Sequence, residues 1–298
     1  MHYILLYLRK VFTVDVRALA LMRIGVGFVL LVDLGIRATD LEAHYANMGI
    51  LPLYVLFQNA WDPYFISIHT ISGLWQVQAV LFLIAAIFAF LLLIGYRTRL
   101  VTIVSWFFLL SVQNRNLLIG QAGDDLLRMI LFWAMFLPWG RFYSLDAKRA
   151  NDPNRSHLHF SPASAAYVVQ IMLVYVCTAL LKNSPEWHTT GQALYYALSL
   201  DQVLLPGGKL LYPHPDLLQF LTLSTYYIEL YLPLALLIPV YTSFFRLLVV
   251  GVLTGFHLGI SVTLFVGLFY LINWVSFLGL LPPPALNWFE AKLLTHFQ

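Results

Sequence analysis

The sequence predicts an all-α integral membrane protein. It reads as a bundle of about seven or eight transmembrane helices, with aromatic-rich interfacial helices on the non-cytoplasmic side. Three observations carry this. Hydrophobic residues make up 60% of the 298, charged residues only 10%, and the mean hydropathy is +0.78. An ordinary soluble domain has about 25% charged residues. A soluble globule this poor in charge could not cover itself with polar groups, so soluble enzymes, nucleic-acid modules and disordered chains are excluded. The net charge of +3 reports membrane topology, and no nucleic-acid partner is expected.

Residues 1–14 (MHYILLYLRKVF and its continuation) read as an amphipathic lead-in without the layout of a cleaved signal peptide. A span needs about 20 mostly apolar residues. The apolar runs fall near Ala18–Ile36, Val77–Ile94, Leu100–Ser111, Leu126–Trp139, Ala165–Leu181, Leu217–Val240, Leu247–Phe265 and Gly267–Leu281. The third and fourth are short, and the last two run together without a clear turn. Residues 284–298 form a short tail.

Positive charge orients the bundle. With alternating spans, Arg9, Lys10, Arg17, Arg97, Arg99, Arg141, Lys148, Arg149, Arg155 and Arg246 fall on one side. Only Arg37, Arg115, Lys182 and Lys209 fall on the other. The N-terminus is therefore expected in the cytoplasm. Segments 37–75 and 183–216 are then the long outer loops. Both are rich in aromatic residues and prolines and are expected to form interfacial helices.

Ionisable groups at bilayer depth cost at least about 2.5–3.5 kcal/mol by insertion scales, so each needs a partner or a function. Lys182 closes the fifth span, with Tyr175 and Thr178 on its helical face. It reads either as a lysine snorkelling to the interface or as a partly desolvated amine able to act as a base. In the sixth span Thr222, Tyr226, Glu229 and Pro233 share a face, and Glu229 either pairs with a cation such as Lys182 or Arg128 or is protonated. His257 lies in the seventh span, with Thr254 and Ser261 beside it. A lone intramembrane histidine is more often an interhelical hydrogen-bonding group than a catalyst.

The run QNRNLLIGQAGDDLLR at 113–128 is the densest polar stretch near the membrane. Asp124 and Arg128 are spaced i,i+4 and suit an ion pair, as do Asp33 and Arg37. Asn114, Arg115 and Asn116 read as donors presented at the outer surface, either anchoring a loop or walling a pocket. Cys177, the single cysteine, reads as a buried packing thiol. No spacing suits a metal, and no phosphate-binding or nucleophile-elbow motif occurs. Any site is expected within the membrane, opening to the non-cytoplasmic side.

Five blocks carry a family resemblance. They are ALALMRIGVGFVLLVDLGIR, LLIGYRTRL, SVQNRNLLIGQAGDDLLRMILFWAMFLPWGRFYSLD, VYVCTALLKNSPEWHTTGQALYYAL and GFHLGISVTLFVGLFYLINWVSFL. In this order, over about residues 15–283, they resemble the HTTM (horizontally transferred transmembrane) domain. That is the membrane region shared by vitamin K-dependent gamma-carboxylases and many bacterial proteins. The resemblance implies a helical bundle in the bacterial inner membrane. It also implies an intramembrane lysine base acting on reduced vitamin K or menaquinol, with oxygen and carbon dioxide, in a carboxylase-like and epoxidase-like reaction.

By that match Lys182 is the base, in LLKNSPEW. His257 matches the histidine of a late phenylalanine–histidine pair and joins it as a catalytic candidate. Asn114 and Arg115 stand where the carboxylases have asparagine and histidine. With Tyr175, Thr178, Tyr226 and Glu229 they complete the expected quinone-binding set. The carboxylases carry a further outer region for peptide recognition. This sequence stops at Gln298, so a partner subunit is expected to supply that part, or peptides are not the substrate. Two other readings stay open. One is a non-catalytic membrane partner for a secreted peptide or small protein. The other is a transporter with Glu229, His257 and Arg128 along a proton path.

Overall fold

The computed structural model describes residues 2–296, with side chains as far as Lys292. In chain order the helices are α1 (His2–Phe12), α2 (Val16–Thr39), α3 (Leu41–Tyr45), α4 (Leu53–Asn59), α5 (Trp75–Ile94), α6 (Thr98–Arg115), α7 (Ala122–Ala134) and α8 (Leu145–Ala150). They continue with α9 (Pro162–Leu181), α10 (Pro185–His188), α11 (Ala193–Leu198), α12 (Pro206–Leu211), α13 (Pro215–Tyr231), α14 (Thr242–Thr263), α15 (Phe269–Leu278) and α16 (Pro283–His296). One short antiparallel pair joins β1 (Val14–Asp15) to β2 (Leu158–His159). The fold is all-α, 73% helical.

Among the described residues, five stretches are long and apolar enough to cross a membrane: Val16–Thr39, Trp75–Ile94, Pro162–Leu181, Pro215–Leu237 and Thr242–Thr263. A sixth arises if α15 and the start of α16 count as one span, bent by 94° at Leu280–Pro282. These lengths are what an integral membrane protein needs. Three expected spans do not reach that standard on their own: α6, which carries the Leu100–Ser111 run between Arg99 and Arg115, is not apolar enough, α7 has 13 residues and leaves the helix before Pro138, and α15 has only 10.

The chain divides into two compact units, Leu19–His157 and the pair of segments Met1–Ala18 and Leu158–Gln298. In the internal unit, Gly95 ends α5 in the left-handed conformation at φ +70°, with the Tyr96 amide donating back to Leu91. Glycine suits that C-terminal position because it has no Cβ to clash. Arg23 is fully buried and donates to the carbonyls of Leu92, Leu93, Trp139 and Tyr143. It thus adds charged donors to the last-turn carbonyls of α5, where Leu92 already accepts from the Gly95 amide. Asp146 accepts from the amides of Arg97 and Thr98 and from the Thr98 hydroxyl, which caps the start of α6. Burial raises the Asp146 carboxyl, but these donors outweigh it and hold it below the ordinary range.

The charges of this unit pair partly as expected. Asp33 and Arg37 meet at 2.8 Å. The expected Asp124–Arg128 pair does not form. Asp124 accepts instead from Arg37 at 2.8 Å, while Arg128 pairs with Asp125, one residue nearer. The Asp124 carboxylate also closes a capping box at the start of α7, which turns it away from Arg128.

In the terminal unit, α9 begins on a capping box of Ser161 and Ser164 with Pro162 at its first position. Its buried stripe is Val168, Ile171, Tyr175 and Ala179, at helical spacing. Cys177 lies two residues past Tyr175, on the opposite side, and is exposed rather than buried. α13 runs into a 3-10 turn (Leu232–Leu237) at Pro233, where proline can no longer continue the α-helical ladder. Segment 183–216 folds into the short helices α10, α11 and α12. α1 leaves Tyr3, Ile4, Leu5, Leu6 and Tyr7 exposed, and the Tyr7 hydroxyl donates to the Leu237 carbonyl.

Candidate functional site

α9 stops at Leu181, and Lys182 occupies its C-terminal cap. Pro185 starts α10 three residues on, and this sharp restart lays the Trp187 ring 4.5 Å from the lysine ammonium. The ammonium pairs with the Glu229 carboxylate of α13. The lysine side chain is 15% exposed and the glutamate 6%. Such a pair holds position strongly once formed, because removing one partner strands a buried charge.

Thr222 stands two turns before Glu229 on the same buried face of α13. Its hydroxyl donates to the Leu218 carbonyl and accepts from the Leu194 amide, which ties α11 to α13. On α14 the buried stripe runs Val249, Leu253, His257. His257 is fully buried, and its Nε2 lies 2.8 Å from the Tyr175 hydroxyl. That hydroxyl donates to Asn273 Oδ1 at 2.8 Å. Asn273 Nδ2 in turn donates to the Phe269 carbonyl at 2.8 Å. His257 Nδ1 is buried with no partner.

These groups border one cavity of about 240 Å³. Tyr175, Thr178, Lys182, Thr222, Glu229 and His257 form its polar side. Phe256, Ile260, Leu264 and Phe269 form much of its apolar side, with the Trp187 ring near the ion pair. A mostly apolar cavity with a few convergent polar groups is the usual form of a small-molecule site. Here it can desolvate a ligand, exchange a proton with it and orient it by hydrogen bonds.

Six of the residues singled out in the sequence therefore meet in this cavity: Lys182, Glu229, Tyr175, Thr178, Thr222 and His257. Tyr226 is not on the lining and packs its ring 5.5 Å from His188. Asn114 and Arg115 belong to the internal unit. They are buried, not displayed at a surface, and their donors go to backbone. Arg115 holds the Leu51 and Tyr45 carbonyls at 2.8 Å each, and Asn114 holds Ile66 at 3.1 Å. Both thereby pin the loop 41–66, because a buried carbonyl needs a donor.

Sequence reasoning missed Asn273 and Trp187. Asn273 carries a signal, as an amide in the apolar run LINWVSFL, but a neutral amide costs far less at bilayer depth than a charge and so stands out less. Trp187 stood among the loop aromatics with nothing to aim it at Lys182. No cluster of three or more His, Cys, Asp or Glu able to hold a metal occurs among the described residues. Compared with family models, curated proteins and solved structures, the chain matches none of them.

Proposed function

We propose that this chain is a membrane enzyme of the HTTM type that binds a reduced quinone in the Lys182 cavity. The observation that carries the reading is the Lys182–Glu229 pair standing beside the Tyr175–His257 pair in one small, largely apolar cavity. The proposal extends to the membrane arrangement. α6, α7 and the bent α15–α16 pair complete seven or eight spans in a bacterial inner membrane, with the N-terminus in the cytoplasm and the cavity opening outward.

The cavity fits the group on its chemistry. Phe256, Phe269 and Leu264 offer an apolar bed for a ring, and His257 Nδ1 is a buried polar atom waiting for a partner. A reduced quinone, when bound, would supply four electrons to dioxygen, two as its hydroquinone ring becomes the quinone and two as the ring double bond becomes the epoxide; one oxygen atom would end in the epoxide and the other, with the two hydroxyl protons, in water. Lys182 and Glu229 would hold the hydroxyl end of such a ring: by passing its proton to Glu229 within the pair, Lys182 could offer an amine as a base towards the hydroxyl, and the ammonium so formed would stand beside the negative charge. Trp187 covers the ammonium and keeps water from it. Thr178 and His257 orient the ring by hydrogen bonds. Asn114 and Arg115 contribute as the scaffold of the 41–66 loop. A peptide glutamate as the final carbon acid, with carbon dioxide, follows from the carboxylase-like resemblance.

The test is an epoxide assay. Detergent-purified protein receives reduced vitamin K or menaquinol with oxygen and bicarbonate, and epoxide is measured by mass spectrometry. Oxygen-dependent epoxide supports the reading. Well-folded protein that makes none from either quinol contradicts it.

A second reading has its own observation. An open cleft of about 640 Å³ lies beside the outer segment, bordered by Tyr195 and Tyr212, Pro213, Pro215, Asp216 and Gln219. The two tyrosine rings stack 4.9 Å apart. Such a cleft suits an extended secreted peptide and favours the role of a maturation partner. Substitutions at Tyr195 and Tyr212 that abolish peptide retention, with Lys182→Ala harmless, would favour it over the enzyme.

A further inference from the structure

Hydrogen-bond polarity runs in one direction from the backbone to the cavity. The Phe269 carbonyl can only accept, so Asn273 must present its NH2 group there, at 2.8 Å. This fixes the amide, and Oδ1 faces Tyr175 as an acceptor. The Tyr175 hydroxyl has one proton and places it on Oδ1 at 2.8 Å. Its oxygen is then left as an acceptor towards His257 Nε2, also at 2.8 Å. If the tyrosine proton pointed at Nε2 instead, two oxygen lone pairs would face each other at that distance. Nε2 therefore carries the hydrogen of the neutral ring, and Nδ1 keeps a lone pair. Nδ1 is buried and meets no donor in the protein. A buried acceptor left unpaired is costly, and His257 is one of the residues lining the cavity, so a ligand there is the natural source of the missing donor.

We propose that Asn273 and Tyr175 are positioning residues that fix the His257 tautomer, so that Nδ1 offers the cavity an acceptor and the site takes a hydroxyl-bearing ring in preference to its carbonyl counterpart. The ligand half of this inference rests on the proposed function, since it concerns the same cavity. The tautomer half does not. For a redox-active ring the consequence is specific. The reduced form has a hydroxyl to donate, and the oxidised form presents a second acceptor that Nδ1 repels. Product leaving in a carbonyl form is released by the same atom that held the substrate.

The test reads the tautomer directly. Full-length protein with heavy-nitrogen-labelled histidine, in detergent or lipid, gives a nitrogen spectrum in which His257 is assigned by its loss in His257→Gln. The expected spectrum has Nε2 protonated and Nδ1 bare. In Asn273→Leu the Tyr175 proton is free to move to Nε2, and the tautomer inverts. An Nδ1–H ring in the unaltered protein overturns the proposal. So does an unchanged tautomer in folded Asn273→Leu. Should that variant not fold, the spectrum of the unaltered protein decides alone.

A second arm measures anaerobic binding of a tailless reduced naphthoquinol against its oxidised naphthoquinone. The reduced form should bind about tenfold more tightly, the factor conveyed by one hydrogen bond of ordinary net strength. In Asn273→Leu that ratio should collapse. Equal binding in the unaltered protein overturns the ligand half. Binding of neither form, with the expected tautomer seen, overturns the proposed function and the ligand half while supporting the positioning roles.

Discussion

Lys182, at the cap of α9, and Glu229, on the buried face of α13, form an ion pair roofed by the Trp187 ring. It joins two elements that are 47 residues apart in the chain. Their contact defines the charged end of the cavity.

That pairing predicts an asymmetric double-mutant cycle. Lys182→Met strands the glutamate, and Glu229→Leu strands the lysine. Each should cost about 3 kcal/mol. The double variant should cost about 1 kcal/mol or less, because no buried charge remains. Thermal unfolding in detergent measures all four proteins. Additive losses would mean that the two side chains do not meet.

The internal unit should lose stability in mild acid through His69. Burial first, and then the charge of Arg115, pushes this imidazole down to about 4. It packs edge-on against Phe82 and Phe108, with Nδ1 2.7 Å from the Ser111 hydroxyl. The unfolded chain takes up its proton near 6.5. Between those values the unfolded state binds more protons than the folded one, so falling pH favours unfolding. The contribution is complete above about 6.5, declines towards 4 and is constant below, amounting to about 3 kcal/mol. His69→Gln should flatten the melting temperature across that window. An unchanged slope would show that His69 does not titrate with folding.

Gly95 tolerates no side chain. At φ +70° the conformation disfavours a Cβ, and one placed there would stand 2.3 Å from the Ser144 Cβ and 2.7 Å from Arg23 Nη1. Gly95→Ala should cost about 2–4 kcal/mol by strain and displacement of the buried arginine. Gly251 has open space around its Cβ position, so Gly251→Ala serves as the control. Equal stability of the two variants would contradict the packing at the end of α5.

Cys177 offers a test of the membrane reading. It is exposed on the face of α9 opposite the buried stripe. As the single cysteine it takes one nitroxide label without further engineering. In a bilayer the label should collide readily with oxygen and scarcely with a water-soluble nickel chelate. The reverse pattern would place this face of α9 in water.

Much of the fold was legible because it follows from cost. Charges in apolar runs stand out, so Lys182, Glu229 and Asp33–Arg37 were all found from spacing. Burial was not legible, because in a membrane helix the lipid face and the packed face are both apolar. Cys177 shows this: nothing in VYVCTALL distinguishes its side of the helix from that of Tyr175. Local spacing also offers more pairs than form. Arg128 had two acidic neighbours, and a contact with Arg37, 87 residues away, took Asp124 out of the choice. Asn114 and Arg115 were visible as polar residues. Their use depended on which loop carbonyls came within reach, and the tertiary structure decides that.

The central claim is that Lys182 acts as a base through its amine, and chemical rescue tests it most directly. Lys182→Ala, confirmed as folded by size-exclusion and melting, is assayed for epoxide from reduced naphthoquinol with added primary amines of rising basicity. The account predicts turnover in the unaltered protein and a loss of at least about 100-fold in the variant, the usual weight of a general base. It further predicts partial recovery that increases with amine basicity and falls off for amines too bulky for the cavity. Full activity in Lys182→Ala, or a folded variant that no amine restores, would contradict it.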